Sequence, residues 1–178
     1  MEIRETAEGS AELQILEAIN EEAIPEEERC SLRDMLATGA KVWCVIRNGE
    51  PVGYMAVRYY RNLVYLAFFA VRNDLRSKGI GGRAVRELIR QNPGRRIVVE
   101  YETPVPRSAG YDVSLRRKQF YLRNGFRETG WYTCYDNTEF EVGCAGEEFD
   151  PGEFKAFAED LAGIVSDHIP NPFQKSNG

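Results

Sequence analysis

Apolar residues near the N-terminus recur at roughly helical spacing, and farther along the chain the pattern changes to that of strands. Leu13, Leu16 and Ile19 predict a first helix, which follows a short strand near Ile3. A second helix is expected to begin near Pro25, with the glutamates of residues 26–28 in its first turn, because proline and acidic side chains favour that position. The N-terminal region therefore predicts one strand and two helices.

Three segments rich in β-forming residues follow, and they predict a meander of antiparallel strands. Residues 41–47 and 52–59 flank Asn48-Gly49, a pair typical of tight hairpin turns. Arg61-Asn62 predicts a second turn into residues 63–71, whose unbroken apolar run predicts a strand covered on both faces.

Beyond Val71, helices and strands alternate. A glycine-rich loop at residues 77–82 opens a helix that ends at Asn92-Pro93-Gly94, residues 97–101 form the next strand, and residues 114–123 form a further helix. This order predicts a strand–helix–strand unit with at least one parallel strand pair.

The last part of the chain predicts a closing hairpin and one more helix. Residues 131–135 and 139–144 flank the turn pair Asp136-Asn137, and Asp150-Pro151 begins the helix. Its apolar side is expected to close the core rather than to pair two protomers, and it comprises Phe154, Phe157, Ala158, Leu161, Ile164 and Val165. The predicted fold class is a mixed α/β (α+β) single domain over residues 1–145, with a mostly antiparallel central sheet flanked by helices and the C-terminal helix and tail of residues 146–178 packed on the same domain.

Composition narrows the class of protein. With 178 residues, of which 43% are hydrophobic and 29% charged, the chain can bury a core. Its apolar runs are too short to cross a membrane and its N-terminus resembles no signal peptide, so a cytoplasmic protein is expected.

Four cysteines without C-x-x-C spacing predict reduced thiols, and Cys134 is predicted to be a small buried strand residue. A single histidine, His168, argues against His-based triads and metal sites, and no metal site is predicted.

Charge is distributed unevenly along the chain. The net charge is −5, yet residues 72–96 carry a net +6, residues 107–127 a net +5, and the remainder −16. A run of like charges is often only a solvated face, so the motif within each basic segment decides its meaning.

The first basic segment contains a candidate phosphate loop. Gly79, Gly81 and Gly82 stand between a predicted strand and a helix start, where backbone N–H groups and the positive end of the helix dipole favour an anion. Arg76, Lys78 and Arg83 add cationic side chains, which form charge-assisted hydrogen bonds with phosphate. The segment therefore predicts a phosphate site, most simply for a diphosphate.

Two familiar phosphate loops fit this segment poorly. The P-loop spacing G-x-x-x-x-G-K-[ST] is absent. Gly79-x-Gly81-x-x-Ala84 matches the dinucleotide fingerprint, and Glu100 follows 21 residues after Gly79, where a ribose-binding acid is expected. Seven residues separate Val71 from Gly79, however, and the preceding strands form a meander, so a dinucleotide-binding protein is a minor alternative.

A third phosphate-loop motif fits this segment better. Arg76-x-x-Gly79-x-Gly81 resembles the R/Q-x-x-G-x-G/A motif of the GNAT superfamily of N-acyltransferases, and residues 120–126 (FYLRNGF) resemble the second signature of that family. The meander around Asn48-Gly49 is also similar, so the resemblance runs from about Val42 to Tyr135. It implies a single GNAT-like domain and an N-acetyltransferase with acetyl-CoA as cosubstrate.

The resemblance also implies roles for particular residues. The acetyl-CoA pyrophosphate would lie on the amides of the glycine loop, and pantetheine would run along the end of the preceding strand, where one N–H would polarise the thioester carbonyl. A primary amine would attack directly in a ternary complex, and Tyr121 occupies the position of the general acid. The residues expected to bind the cofactor are Phe69, Ala70, Val71, Arg76, Ser77, Lys78, Gly79, Ile80, Gly81, Gly82 and Arg83.

The other candidate catalytic residues are glutamates. Glu100 and Glu102 are two apart on a predicted strand and so share one face, where a half-buried carboxylate can act as a base. The alternatives are a solvated or ion-paired role for both glutamates and a purely structural core role for Tyr121. The proline-containing loop after Tyr101 departs from the common family pattern and leaves substrate contacts there open.

The sequence is compatible with three classes of function. The first is an N-acetyltransferase, the second a non-catalytic acyl-CoA-binding sensor, and the third a nucleic-acid-binding protein, which the overall acidity disfavours. The expected partner is a small-molecule or peptide amine, with no nucleic acid and no membrane, and the expected assembly is a monomer or a homodimer. Polyamines, amino acids, aminoglycoside-like compounds and protein amines all remain candidate acceptors.

Overall fold

The computed structural model describes residues 1–26, 29–165 and 169–175, and strands and helices make up most of them. Within those ranges the chain forms seven strands and five helices, and the mixed α/β class predicted from the sequence is confirmed. The elements are β1 (Glu2–Glu5), α1 (Ala11–Ala23), α2 (Leu32–Ala37), β2 (Lys41–Arg47), β3 (Glu50–Tyr60), β4 (Leu63–Val71), α3 (Ile80–Gln91), β5 (Arg96–Glu102), α4 (Tyr111–Arg123), β6 (Arg127–Tyr135), β7 (Thr138–Gly146) and α5 (Pro151–Ala162).

The chain divides into two compact units. Unit one comprises Met1–Tyr59 and Tyr65–Asn92, and unit two comprises Tyr60–Val64 and Pro93–Gly178. Strands β1 to β4 lie side by side in chain order, whereas the strands of unit two follow the order β5-β7-β6. None of the described helices combines the length and the apolar character that a membrane crossing requires.

The hairpin of β2 and β3 in unit one forms at its predicted turn. Asn48 and Gly49 both adopt left-handed backbone angles, with φ of 52° and 82°, which is the geometry that a two-residue hairpin turn requires. They join β2 and β3 in antiparallel register, with Cys44 opposite Tyr54. A bulge between Val45 and Ile46 interrupts this register once.

Strand β4 is buried on both faces only in its first half. Leu63, Val64 and Leu66 are at most 2% exposed, as the apolar run predicts. In the second half Phe69 and Val71 are half-buried, so the prediction of a strand covered on both faces is wrong there.

The first helix forms as predicted and the second begins later. Ser10 caps α1, and Leu13, Leu16 and Ile19 point into the core. Helix α2 begins at Leu32 rather than near Pro25, because the Ser31 side chain accepts hydrogen bonds from the amides of residues 33 and 34. Of the glutamates assigned to its first turn, residues 27 and 28 lie outside the described residues.

A buried polar contact links α1 to the sheet of unit one. Tyr54 on β3 donates to Asn20 Oδ1 at 2.7 Å, and Asn20 Nδ2 donates to the Cys30 carbonyl at 2.9 Å. Both Asn20 and Tyr54 are buried, and these bonds offset the cost of removing their polar groups from water. The apolar core around them includes Leu13, Leu16, Leu32, Met35, Val42 and Ala56.

Unit two is built on the predicted hairpin. Asp136 and Asn137 turn the chain with φ of 47° and 64°, and β7 pairs antiparallel with both β5 and β6. A bulge between Glu128 and Tyr132 shifts the register of β6. Both strands of the hairpin extend beyond the predicted segments.

Helix α5 packs within unit two. Asp150 caps it by accepting from the amides of Gly152 and Glu153, and Glu153 in turn accepts from Arg96 Nη1 and from the Asn62 amide, each at 2.9 Å. The buried side chains are Phe154, Phe157, Ala158 and Leu161, which confirms a core role for them. The predicted apolar side is wrong for Ile164 and Val165, because the helix ends at Ala162, and Ile164 is 47% exposed.

Candidate functional site

The candidate phosphate loop lies in unit one, between the end of β4 and the start of α3. Its first residues form a short 3-10 turn, Asn73–Leu75, in which Arg72 pairs with Asp74 at 2.9 Å. Arg76 Nε donates to the Val71 carbonyl at 3.3 Å, and Lys78 Nζ donates to the Asp74 carbonyl at 2.9 Å. Two of the cations singled out in the sequence therefore fold back on the loop that carries them.

The start of α3 presents backbone N–H groups without a capping side chain. Gly79 is the N-cap residue with φ of 76°, and among the described residues no side chain caps this helix end. The first helical hydrogen bond runs from the Arg83 amide to the Gly79 carbonyl at 3.2 Å, so the amides of residues 80–82 precede it. Ser77 also has a positive φ of 60°, and such alternation turns successive amides toward one side. This arrangement suits an anion.

The end of β4 leads directly into this loop. A Cβ added at Gly53 on β3 would collide with the Ala70 carbonyl and lie 3.2 Å from Val71 Cα, so only glycine permits this approach of the two backbones. Ala70 is buried, whereas Phe69 and Val71 remain half-buried. Unit one therefore holds all the residues predicted to bind the cofactor on one continuous strand, loop and helix start.

The candidate acid, Tyr121, lies in unit two on α4. Its ring stacks on Tyr101 at a centroid distance of 5.7 Å and meets Phe120 and Phe126 edge-on at 5.2 Å each. Burial raises the pKa of Tyr121 from 10.0 to about 12, although the nearby Arg117 opposes the shift. The phenol is therefore neutral at physiological pH and carries a proton that it can donate.

The two candidate glutamates lie on the other side of β5. Tyr101, between them, is fully buried against Tyr121, and successive strand residues point to opposite faces, so Glu100 and Glu102 share the face away from that contact. Glu100 accepts hydrogen bonds from Thr133 Oγ1 and, at 3.0 Å, from the Tyr135 hydroxyl. The spacing of Glu100 and Glu102 predicted their shared face. The two hydroxyl partners of Glu100 depend on strand register, and the sequence did not predict them.

An ion pair next to the aromatic cluster was also missed by sequence reasoning. Lys118 Nζ lies 2.7 Å from Glu141 Oε2 and 2.5 Å from Glu128 Oε1. Burial by itself lowers the pKa of Lys118, but the hydrogen bonds to Glu128 and Glu141 outweigh it and raise that pKa above its usual value. No local signal marks this pair, because 23 residues separate Lys118 from Glu141.

The cysteines offer no buried nucleophile. All four lie within the described residues, and burial raises the pKa of Cys144 to about 11 and that of Cys44 to about 12. The prediction for Cys134 is wrong in one respect, since it lies on β6 as expected but is exposed, because its side chain alternates with the buried Thr133. His168 lies outside the described residues, and within them no group of three His, Cys, Asp or Glu side chains could hold a metal ion.

Comparisons with known proteins agree with this geometry. The family model of the acetyltransferase (GNAT) domain matches residues 38–128, just over half of the chain. A protein of Bacteroides thetaiotaomicron assigned to the GNAT acetyltransferases shares 22% identity, with a TM-score of 0.75 over 93% of this chain and 98% of that one. A search of curated proteins gives no significant match.

Two further solved structures share the fold at lower identity. A GNAT acetyltransferase of Elizabethkingia anophelis with acetyl-CoA bound is 16% identical, with a TM-score of 0.60 over 82% of this chain and 97% of that one. The aminoglycoside 6'-N-acetyltransferase of Enterococcus faecium is 15% identical, with a TM-score of 0.63 over 85% of this chain and 99% of that one. At such identities the likeness concerns the fold.

The raised pKa of Tyr121 predicts a specific pH dependence. Because the folded-state pKa of about 12 exceeds the ordinary value of 10.0, the contribution of Tyr121 to the free energy of unfolding is complete below pH 10.0 and is lost as the pH rises toward 12. We expect the tyrosinate absorbance of the wild type minus that of Tyr121→Phe to show no ionisation below pH 10.0. A difference curve with its midpoint at or below that pH contradicts the burial argument.

Proposed function

The chain belongs to the GNAT acetyltransferase family, and on that premise we propose that it is an acetyl-CoA-dependent N-acetyltransferase that moves an acetyl group to a primary amine by direct attack in a ternary complex. The observation that carries this proposal is the glycine loop between β4 and α3. There the uncapped amides at the start of α3 lie beside exposed cations. Negatively charged phosphates complement such a helix end. The acetyl-CoA bound in the Elizabethkingia relative supports acetyl-CoA as the cosubstrate.

The proposed cofactor contacts use backbone groups more than side chains. The amides from Gly79 to Gly82 would bind the diphosphate, and Arg76, Ser77, Lys78 and Arg83 are exposed beside them. The backbone of Phe69, Ala70 and Val71 would align pantetheine, and one of its N–H groups would stabilise the developing oxyanion of the thioester. These roles need no covalent intermediate on the protein.

The proposed acid–base roles fall to unit two. A carboxylate would first take a proton from the ammonium of the acceptor, so that the neutral amine attacks. The neutral phenol of Tyr121 would protonate the departing thiolate as the C–S bond breaks, and the second proton that the nitrogen loses as the amide forms would restore the phenol. Glu100 and Glu102 are the base candidates, and Glu100 is held in place by two hydroxyl donors. The new bond joins the acceptor nitrogen to the acetyl carbon.

The acceptor is proposed as a small-molecule or peptide amine. The aminoglycoside acetyltransferase of Enterococcus faecium, which shares the fold, supports a small-molecule acceptor. The acidic charge outside the two basic segments also favours a cationic compound electrostatically.

A screen of amines tests the proposed reaction. The protein is incubated with acetyl-CoA and a library of polyamines, amino acids, aminoglycosides and peptides, and the release of free thiol is measured. We expect thiol release with one class of amine, together with a stoichiometric amount of acetylated product by mass spectrometry. Tight acetyl-CoA binding without thiol release from any amine would instead indicate a non-catalytic sensor.

Charge reversal in the glycine loop tests the cofactor site. Arg76→Glu and Lys78→Glu are each expected to weaken acetyl-CoA binding by about tenfold, because each replaces a cation near the diphosphate by an anion. Arg90→Glu is the matched control, since Arg90 lies at the other end of α3 and pairs with Glu87. Calorimetry that shows equal affinities for all three variants would exclude this loop as the phosphate site.

Removal of one hydroxyl tests the proposed acid. Tyr121→Phe keeps the ring that packs on Tyr101 but removes the proton donor, so we expect turnover to fall by about 100-fold while acetyl-CoA affinity is unchanged. Turnover is measured with an acceptor identified in the screen. Wild-type turnover in Tyr121→Phe would assign Tyr121 to the core alone.

A further inference from the structure

Helix α4 touches the sheet of unit two at two neighbouring points. Lys118 and Tyr121 are three residues apart, so they project from the same side of the helix. Tyr101 on β5 and Glu141 on β7 are directly opposite each other in the antiparallel ladder. Lys118 contacts Glu141, and Tyr121 contacts Tyr101. Two neighbours on one side of the helix therefore contact two cross-strand neighbours on the sheet.

Tyr121 stacks on a ring that burial holds in place. Tyr101 is fully buried, and a Cβ added at Gly143 on β7 would lie 2.9 Å from its Cε1 atom. The absence of a side chain at Gly143 therefore allows the Tyr101 ring to lie close to the strand backbone, and Tyr121 stacks on this ring with an interplanar angle of 17°. Together with the edge-on contacts of Phe120 and Phe126, this stacking holds the Tyr121 ring by apolar packing, so the position of the hydroxyl follows the position of α4 on the sheet.

The polar contact is directional. The Lys118 and Glu141 side chains are only 20% and 10% exposed, and their 2.7 Å separation is that of a charge-assisted hydrogen bond. Glu128 on β6 holds the same ammonium from a second side. A displacement of α4 along the sheet would break these bonds and leave a charge poorly solvated, so the ion pair resists such a displacement.

We propose that Lys118 and Glu141 are positioning residues for Tyr121, which fix α4 on the sheet so that the phenol hydroxyl is held in one place during acetyl transfer. This inference rests on the proposed function, in which Tyr121 is the acid. Small displacements of a reacting group lower turnover strongly, and a positioning role therefore affects kcat more than the binding of acetyl-CoA.

The chain offers a closely matched control. Arg96 and Glu153 form a second ion pair of unit two, with side chains 22% and 9% exposed and a separation of 2.9 Å. This pair joins β5 to α5 and has no contact with α4 among the described hydrogen bonds. Lys118→Met and Arg96→Met should therefore lower the melting temperature by similar amounts.

The kinetic test compares these variants with the acceptor found in the screen. We expect Lys118→Met to lower kcat by about tenfold with an unchanged KM for acetyl-CoA, Lys118→Arg to restore most of kcat, and Arg96→Met to keep kcat within about twofold of the wild type. The double variant Lys118→Met with Glu141→Leu removes the stranded charge, and its kcat should stay low. Recovery of kcat in the double variant, or equal losses in Lys118→Met and Arg96→Met, overturns the positioning role.

A spectroscopic test needs no acceptor. The protein is labelled with 3-fluorotyrosine, and the ¹⁹F signal of residue 121 is assigned by its loss in Tyr121→Phe. We expect Lys118→Met to shift or broaden this signal and Arg96→Met to leave it unchanged. An unchanged signal in Lys118→Met overturns the proposal.

These variants distinguish a wrong acid from a wrong positioning role. If Tyr121→Phe lowers kcat but Lys118→Met behaves like Arg96→Met, only the positioning role is wrong, and the proposed acid stands. If Tyr121→Phe has wild-type kcat, the proposed acid is wrong, and the positioning role is overturned with it.

Discussion

Successive side chains of β5 point to opposite faces of its sheet, and this alternation separates the chemistry of unit two. Tyr101 faces the aromatic cluster of α4, whereas Glu100 and Glu102 face away from it. A shift in register by one residue would place two carboxylates against that cluster and expose Tyr101, so burial fixes the register strongly. Gly143 strengthens this choice, because a side chain there would displace the Tyr101 ring.

In unit one, the approach of two strands shapes the region around the glycine loop. The second half of β4 carries half-buried apolar residues toward the glycine loop. Gly53 brings the β3 backbone against this end of β4, and the uncapped start of α3 follows a few residues later. Backbone amides hold fixed directions without a loss of side-chain entropy, which makes them suitable ligands for a diphosphate.

Charged side chains act differently at the surface and in the interior of this protein. The cations of the glycine loop are exposed and screened by solvent, so each contributes modestly and acts mainly on a polyanionic ligand. The Lys118–Glu141 and Arg96–Glu153 pairs are largely buried, and each requires both partners, because removal of one leaves a poorly solvated charge. Such pairs fix where an element lies even where their net contribution to stability is small.

Features that depend on adjacent residues were determined by the sequence alone. The turn pairs Asn48-Gly49 and Asp136-Asn137, the cap at Asp150 and the glycine-loop motif all have short-range causes, and the structure contains each of them. The Ser31 cap that begins α2 is also a short-range feature, although the sequence reading placed that start near Pro25. The exposure of Cys134, the hydroxyl partners of Glu100 and the contact of Lys118 with Glu141 were decided only by tertiary structure. Each of these three depends on the register or packing of elements distant in sequence, which the spacing of residues along one segment does not encode.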